Sequence, residues 1–193
     1  MNPRLFVFVV CMMAGATVSM AVQATEAAWA RLATGGYTVL MTHADAPGIG
    51  DPPFFELDDC TTQRNLSDRG RQQARRWGVR FAARAVSISR VYASNWCRTL
   101  ETAENAFRDA DIEATEALDL VEDDPAAHNG DALEIITAFR GPGNQVLLTH
   151  PENVEALTGI RPRTGEAIIV APARGGGDGE SPPIQVVARL LLN

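Results

Sequence analysis

Two short apolar runs that end in the same pair of residues constrain this chain more than any other feature. Val39-Leu40-Met41-Thr42-His43 and Val146-Leu147-Leu148-Thr149-His150 each close on Thr-His. Runs of this length, preceded by Gly35-Gly36 in one case and Gly141-Pro142-Gly143 in the other, read as strands buried on both faces. Strands of that kind belong to a parallel sheet covered by helices on both sides. The ligand crevice of such a sheet lies beyond the carboxyl ends of its strands. If the two runs are parallel neighbours, His43 and His150 emerge side by side at that edge. The chain has only 3 histidines, so two at one edge argue for a site rather than for solvated strand ends.

The intervening sequence alternates in the way such a sheet needs. A first strand covers Tyr37 to Thr42, and a loop rich in Gly, Pro and Asp runs from Ala44 to about Asp59. Ser67 or Asp68 caps a helix through Arg84, with Ala74, Trp77, Val79 and Phe81 as its inner stripe. A strand over Ile88–Ala93 leads into a helix from Cys97 to Phe107, then an extended segment near Glu113–Leu118. A helix over Asp131–Phe139, the strand Gln145–Thr149 and a short helix Pro151–Leu157 follow. Two terminal strands, Glu166–Ala171 and Ile184–Leu191, flank a glycine loop at Gly175–Gly179. The fold class expected is α/β, a three-layer sandwich with a mainly parallel sheet and helices on both faces. At 193 residues there is room for one such domain.

Ahead of that domain the pattern is that of an address. Arg4 precedes a nearly unbroken apolar stretch from Leu5 to Ala16, and Val22 and Ala24 occupy the −3 and −1 positions of a cut before Thr25. Residues 1–24 therefore read as a signal peptide and 25–193 as the domain. A periplasmic or secreted protein with no integral membrane segment after cleavage is expected. In an oxidising compartment Cys60 and Cys97 form either a disulfide or a pair of buried thiols. A bridge closing that loop would add about 3–4 kcal/mol on the chain-entropy account.

Charge removes several function classes. All 17 basic residues are arginine, and 24 acidic residues bring the net charge to −7. Without lysine there is no P-loop, no Schiff base and no kinase-type catalytic lysine. The acidic balance argues against nucleic acid as a partner. The 3 histidines lack metal-ligand spacing, so neither metal nor other cofactor is expected, and a monomer is the default.

A third element joins the two histidines. Ala93-Ser94-Asn95-Trp96-Cys97-Arg98 reads as strand, turn and helix start, which brings Arg98 and a helix amino end to the same edge. Arg64, just before Asn65-Leu66-Ser67, offers a second guanidinium. Two imidazoles, two guanidinium groups and a helix start suit a phosphate.

This set resembles the histidine phosphatase superfamily in its phosphoglycerate-mutase-like branch. The resemblance runs through Thr42-His43-Ala44-Asp45, Arg64 to Arg71, Ala93 to Arg98 with Thr102-Ala103, and Leu147 to His150, in order. Small exported members share the Asp58-Asp59-Cys60-Thr61-Thr62-Gln63-Arg64-Asn65-Leu66-Ser67 segment. The resemblance implies a covalent mechanism. His43 would attack phosphorus and carry a transient phosphohistidine. His150 would donate to the phosphoryl oxygens, Arg98 and Arg64 would clamp them, and no metal would take part.

Two departures from the family pattern bear on activity. Arg-His-Gly is usual around the nucleophile, where this chain has Thr42-His43-Ala44. A neutral hydroxyl in place of a charged fork is expected to cost about 10²–10³ in rate. The general acid is the second: relatives place a glutamate where this chain has Leu118-Asp119-Leu120. Asp45 is the preferred substitute, with Asp119 and Glu122 as alternatives. Two readings follow, an exported phosphomonoesterase of reduced activity, or an inactive relative that binds a small phosphorylated ligand or a protein partner.

Overall fold

A computed structural model of the protein describes residues 23–173 and 182–192. The expected leader falls outside these residues except for its last two, and the Gly175–Gly179 loop falls outside them entirely.

The elements run in the order α1 (residues 23–34), β1 (Thr38–Thr42), α2 (Asp68–Ala83), β2 (Ile88–Ala93), α3 (Cys97–Ala106) and β3 (Ile112–Ala114). Next come α4 (Asn129–Ala138), β4 (Asn144–Thr149), α5 (Pro151–Thr158), β5 (Glu166–Pro172) and β6 (Ile184–Leu191). Short 3₁₀ turns at Cys60–Thr62 and Glu116–Leu118 complete the described elements. The six strands form one sheet in the order β3-β2-β4-β1-β5-β6. β3, β2, β4 and β1 run parallel, and β5 and β6 run antiparallel to their neighbours. The sheet is thus mainly parallel, as the apolar runs require. All six residues of β4 and all five of β1 are buried.

Alternation along the central strands divides the core into two layers. Val39, Met41, Val146 and Leu148 face one cluster with Trp29, Ala74, Trp77 and Phe81. Leu40 and Leu147 face the other, with Leu118, Ile136 and Val154. α1, α2 and α3 therefore cover one face, and α4 and α5 the other.

Three local features differ from the sequence pattern. Residues 23–34, to which that pattern assigns no element, form α1, which buries Ala28, Trp29 and Leu32. Trp29 meets the edge of Phe81 with ring centroids 5.4 Å apart, so this helix belongs to the core. The side chain of Asn144, fully buried, ties its end down by donating to the Leu32 and Ser87 carbonyls and accepting from the Tyr37 N–H. Second, Val79 is 67% exposed rather than part of the inner stripe of α2. Two residues from both Trp77 and Phe81, it is rotated about 200° away from each. Third, the segment expected at Glu113–Leu118 divides into β3 and a 3₁₀ turn.

α2 begins where Ser67 Oγ accepts from the Gly70 N–H, so Ser67, not Asp68, is the cap. Its glycines set how closely it can pack. A Cβ on Gly78 would lie 2.0 Å from the Ala106 carbonyl oxygen of α3, a backbone atom that cannot step aside. Gly78→Ala is expected to destabilise the protein by about 1–3 kcal/mol, although Ala is the better helix former. Val79→Ala, one position on, should stay within about 0.5 kcal/mol. Urea unfolding of the two variants checks both.

Candidate active site

The site forms where β1, β4 and β2 end. β1 and β4 pair in parallel with Thr42 opposite Thr149, so the next residue of each strand is a histidine. The His43 N–H donates to the Thr149 carbonyl at 3.3 Å, and the two imidazole centroids are 5.9 Å apart. β2 reaches the same edge through Ser94, whose N–H donates to the Leu148 carbonyl. The turn after Ser94 starts α3, with Arg98 as its second residue.

Hydrogen bonding fixes the state of both rings. His43 Nδ1 lies 2.8 Å from the Ala44 carbonyl oxygen. A carbonyl only accepts, so Nδ1 carries the hydrogen and the lone pair is left on Nε2. His150 Nε2 is 3.0 Å from Ser94 Oγ, and Arg98 Nη2 approaches His150 Nδ1 at 3.4 Å. The guanidinium can only donate, so His150 holds its hydrogen on Nε2 and directs it to Ser94. Trp96 stands edge-on to His150 with centroids 5.3 Å apart, forming the wall of the site.

Burial keeps these rings neutral. Desolvation is the main cause that lowers His43 from 6.5 to about 4, and the positive charges of Arg98 and Arg64 push the same way. The Ala44 carbonyl and Glu152 oppose it. His150 is pushed well below 6.5, first by burial, then by Arg98 and His43. Burial also lowers Arg98 to about 10, against the pull of Asp51, so the guanidinium stays charged at neutral pH.

Asp51, which the sequence pattern leaves within a turn-rich loop, lies at the centre of the polar network. Its carboxylate accepts from Arg98 Nη1 at 2.9 and 3.0 Å, from Trp96 Nε1 at 3.1 Å and from the Arg64 N–H at 2.9 Å. Arg64 reaches back with Nη1 to the Ala46 carbonyl at 2.6 Å. Arg64 and Arg98 are therefore both tied to the loop after β1. Cys60 and Cys97 form a disulfide, which joins the segment carrying Arg64 to the first residue of α3. Gln63 reinforces it, accepting from the Cys97 N–H and donating to the Glu56 and Leu57 carbonyls. Turn residues of the Asp51 type ordinarily hydrogen-bond their own loop, so nothing local in the sequence marks this carboxylate.

The three carboxylates considered as general acids have other partners. Asp45 Oδ2 accepts from Ser67 Oγ at 2.6 Å, at the cap of α2. Asp119 accepts from the Asn95 N–H and from Asn95 Nδ2, which shapes the turn into α3. Glu122 is exposed. Among the described residues, no hydrogen bond joins any of these three to His43 or His150. Thr42 is buried on the sheet face of Leu40, next to Thr149 of β4. Among the described residues, no group of three or more His, Cys, Asp or Glu side chains is arranged to hold a metal ion. Nor is any described helix long and apolar enough to cross a membrane. A separate open cavity of about 930 Å³, lined by Ser89, Tyr92, Glu113, Asp131 and Phe139 among others, contains none of the site residues.

The sequence pattern of the family described as histidine phosphatase superfamily (branch 1) matches residues 60–168, more than half of the chain. The protein belongs to the histidine phosphatase superfamily. The matched stretch contains Arg64, Arg98 and His150, and His43 precedes it. Among solved structures, the protein histidine phosphatase SixA complexed with tungstate aligns with a TM-score of 0.57 at 17% identity, over 81% of this chain and 97% of that one. YhfR from Bacillus stearothermophilus aligns with a TM-score of 0.57 at 18% identity, over 79% and 95%. A phosphoserine phosphatase variant from Entamoeba histolytica, in complex with phosphoserine, gives 0.56 at 13%, over 81% and 98%. At these identities the likeness carries the fold. Comparison with curated proteins finds no match.

The neutral imidazoles of this histidine phosphatase fold make its stability pH-dependent. Between pH 6.5 and about 4 an unfolded His43 binds a proton that the folded site excludes. The His43 contribution therefore lowers stability by about 3 kcal/mol as pH drops through that window and levels off below it. His150 acts in the same direction. Urea unfolding from about pH 7 down to about pH 4 should show this slope, and His43→Gln should make it shallower.

Proposed function

We propose that this protein is an exported phosphatase that hydrolyses a phosphomonoester through a phosphohistidine at His43. One observation carries the proposal: the Ala44 carbonyl holds the Nδ1 hydrogen, so the Nε2 lone pair of a neutral His43 is free for attack beside His150 and Arg98. Nε2 bonds to phosphorus as the ester P–O bond breaks, and the leaving oxygen takes the electron pair and a proton from solvent, which the water of the next step gives back. A water then attacks the same phosphorus, the P–N bond breaks, and inorganic phosphate leaves with His43 restored. Arg98 and Arg64 offset charge on the phosphoryl oxygens, while His150, expected to donate to them, directs its Nε2 hydrogen to Ser94 and accepts from Arg98 at Nδ1, and so acts by holding Arg98. SixA, a protein histidine phosphatase with tungstate bound, and the phosphoserine complex are relatives in fold that agree with a phosphorylated substrate. The leader-like residues 1–24 and the Cys60–Cys97 disulfide support export to an oxidising compartment.

Thr42 favours a second reading, that of a relative which binds a phosphorylated ligand or a protein partner without turnover. It leaves the nucleophile without the charged donor its family usually supplies.

An aryl phosphate separates the two, because its leaving group departs without a proton donor and so does not depend on which carboxylate is the acid. The purified chain assayed at about pH 6, where His43 is neutral, should turn over slowly. His43→Ala should abolish turnover, and Thr42→Arg should raise kcat by about 10²-fold. Absence of turnover in both the wild type and Thr42→Arg, with phosphate still bound, would establish the binding reading.

A further inference from the structure

The contacts of Asp51 divide the Arg98 guanidinium into two edges with different tasks. The Asp51 side chain is 3% exposed and that of Arg98 is 1% exposed, so the pair is withdrawn from solvent. Asp51 binds Nη1 with both carboxylate oxygens. Nε and Nη2 lie on the other edge of the plane, the fork that binds a carboxylate or phosphate with two parallel hydrogen bonds. Nη2 approaches His150, and among the described residues the buried Nε–H has no hydrogen-bond partner. Arg64 follows the same pattern: its Nη1 is held by Ala46, and its Nε–H is buried without a partner among the described residues. Buried donors are rarely left unpaired in folded proteins, so two such N–H groups, on guanidinium groups whose charges both act on a neutral His43, suit an anion.

We propose that Asp51 is a positioning residue: it holds Arg98 by Nη1 so that the Nε/Nη2 fork is already aimed at the phosphoryl group on His43. This rests on the phosphatase reading above. Asp51 itself touches no substrate. A carboxylate that merely filled the anion site would take the two-bond fork, and Asp51 binds neither Nε nor Nη2, whose second hydrogen remains beyond the one given to His150. Its other two bonds extend the effect, since Trp96 Nε1 and the Arg64 N–H are held by the same carboxylate. A free arginine has several side-chain torsions to fix on binding, and Asp51 fixes them before substrate arrives.

The test compares the full chain with Asp51→Asn and Asp51→Ala, on an aryl phosphate and on inorganic phosphate. Positioning predicts a fall in kcat of about 10²-fold with a change in KM of less than about threefold. In Asp51→Ala added formate should restore part of the lost kcat, because it can occupy the vacated space and bind Nη1 again. Asp51→Asn, with that space filled, should not respond. A loss of kcat that formate leaves untouched in Asp51→Ala and that tracks the loss of thermal stability would overturn the proposal in favour of a purely structural pair. Unchanged or raised kcat with tighter phosphate binding would overturn it in favour of a plug. Arginine side-chain NMR separates this from the phosphatase reading. In the wild type the Arg98 Nε–H signal should be sharp and should shift on adding phosphate, and in Asp51→Ala it should broaden. That result stands for positioning even if the wild type shows no turnover, whereas an Arg98 signal indifferent to Asp51 rejects it whatever the activity.

Discussion

Everything at the candidate site depends on the register between β1 and β4. Thr42 opposite Thr149 delivers His43 and His150 to adjacent positions. Because side chains alternate across a strand, a slip of one residue would move either histidine's strand to the opposite face of the sheet and its apolar residues out of their layers. The register is held from both sides: Val39, Met41, Val146 and Leu148 pack into one layer, and Leu40 and Leu147 into the other. The side chain of Asn144 holds the beginning of the pair, bridging α1, β1 and the segment before β2. The histidines are thus positioned by hydrophobic packing far more than by bonds of their own.

Around that frame, charge is arranged by burial and compensation. Two imidazoles near two guanidinium groups could not all be charged in a buried crevice. Desolvation keeps the rings neutral, which leaves the His43 Nε2 lone pair unprotonated, while Asp51 offsets the charge on Arg98. The loop that supplies Asp51 has little regular structure, so it depends on cross-links. The Cys60–Cys97 disulfide and Gln63 fasten it to α3, and Thr102 joins α3 to the exit of β1 by accepting from the Ala44 N–H.

Legibility in the sequence followed the range of the interaction involved. Strands such as Ile88–Ala93 and the helix after Ser67 rest on local pattern and capping, and they stand where the pattern puts them. Val79 departs from the pattern because apolar character alone does not tell which face of a helix a residue occupies. α1 has no such local signal, because its Trp29 gains a partner only in Phe81, more than fifty positions away. The carboxylates show the limit most clearly. Asp45, Asp119 and Asp51 look alike as acids in loops, yet one meets Ser67, one meets Asn95 and one meets Arg98.

By itself the sequence determined the two Thr-His strand ends, the alternation that makes the sheet parallel at its centre, and the arginines that join the histidines. Those follow from residue type and short-range periodicity, which need no partner to be read. Only the tertiary structure decided which carboxylate faces Arg98, which nitrogen of His43 keeps its lone pair, and that Cys60 bonds to Cys97. These depend on desolvation and on contacts between segments far apart in the chain, and neither exists until the chain has folded.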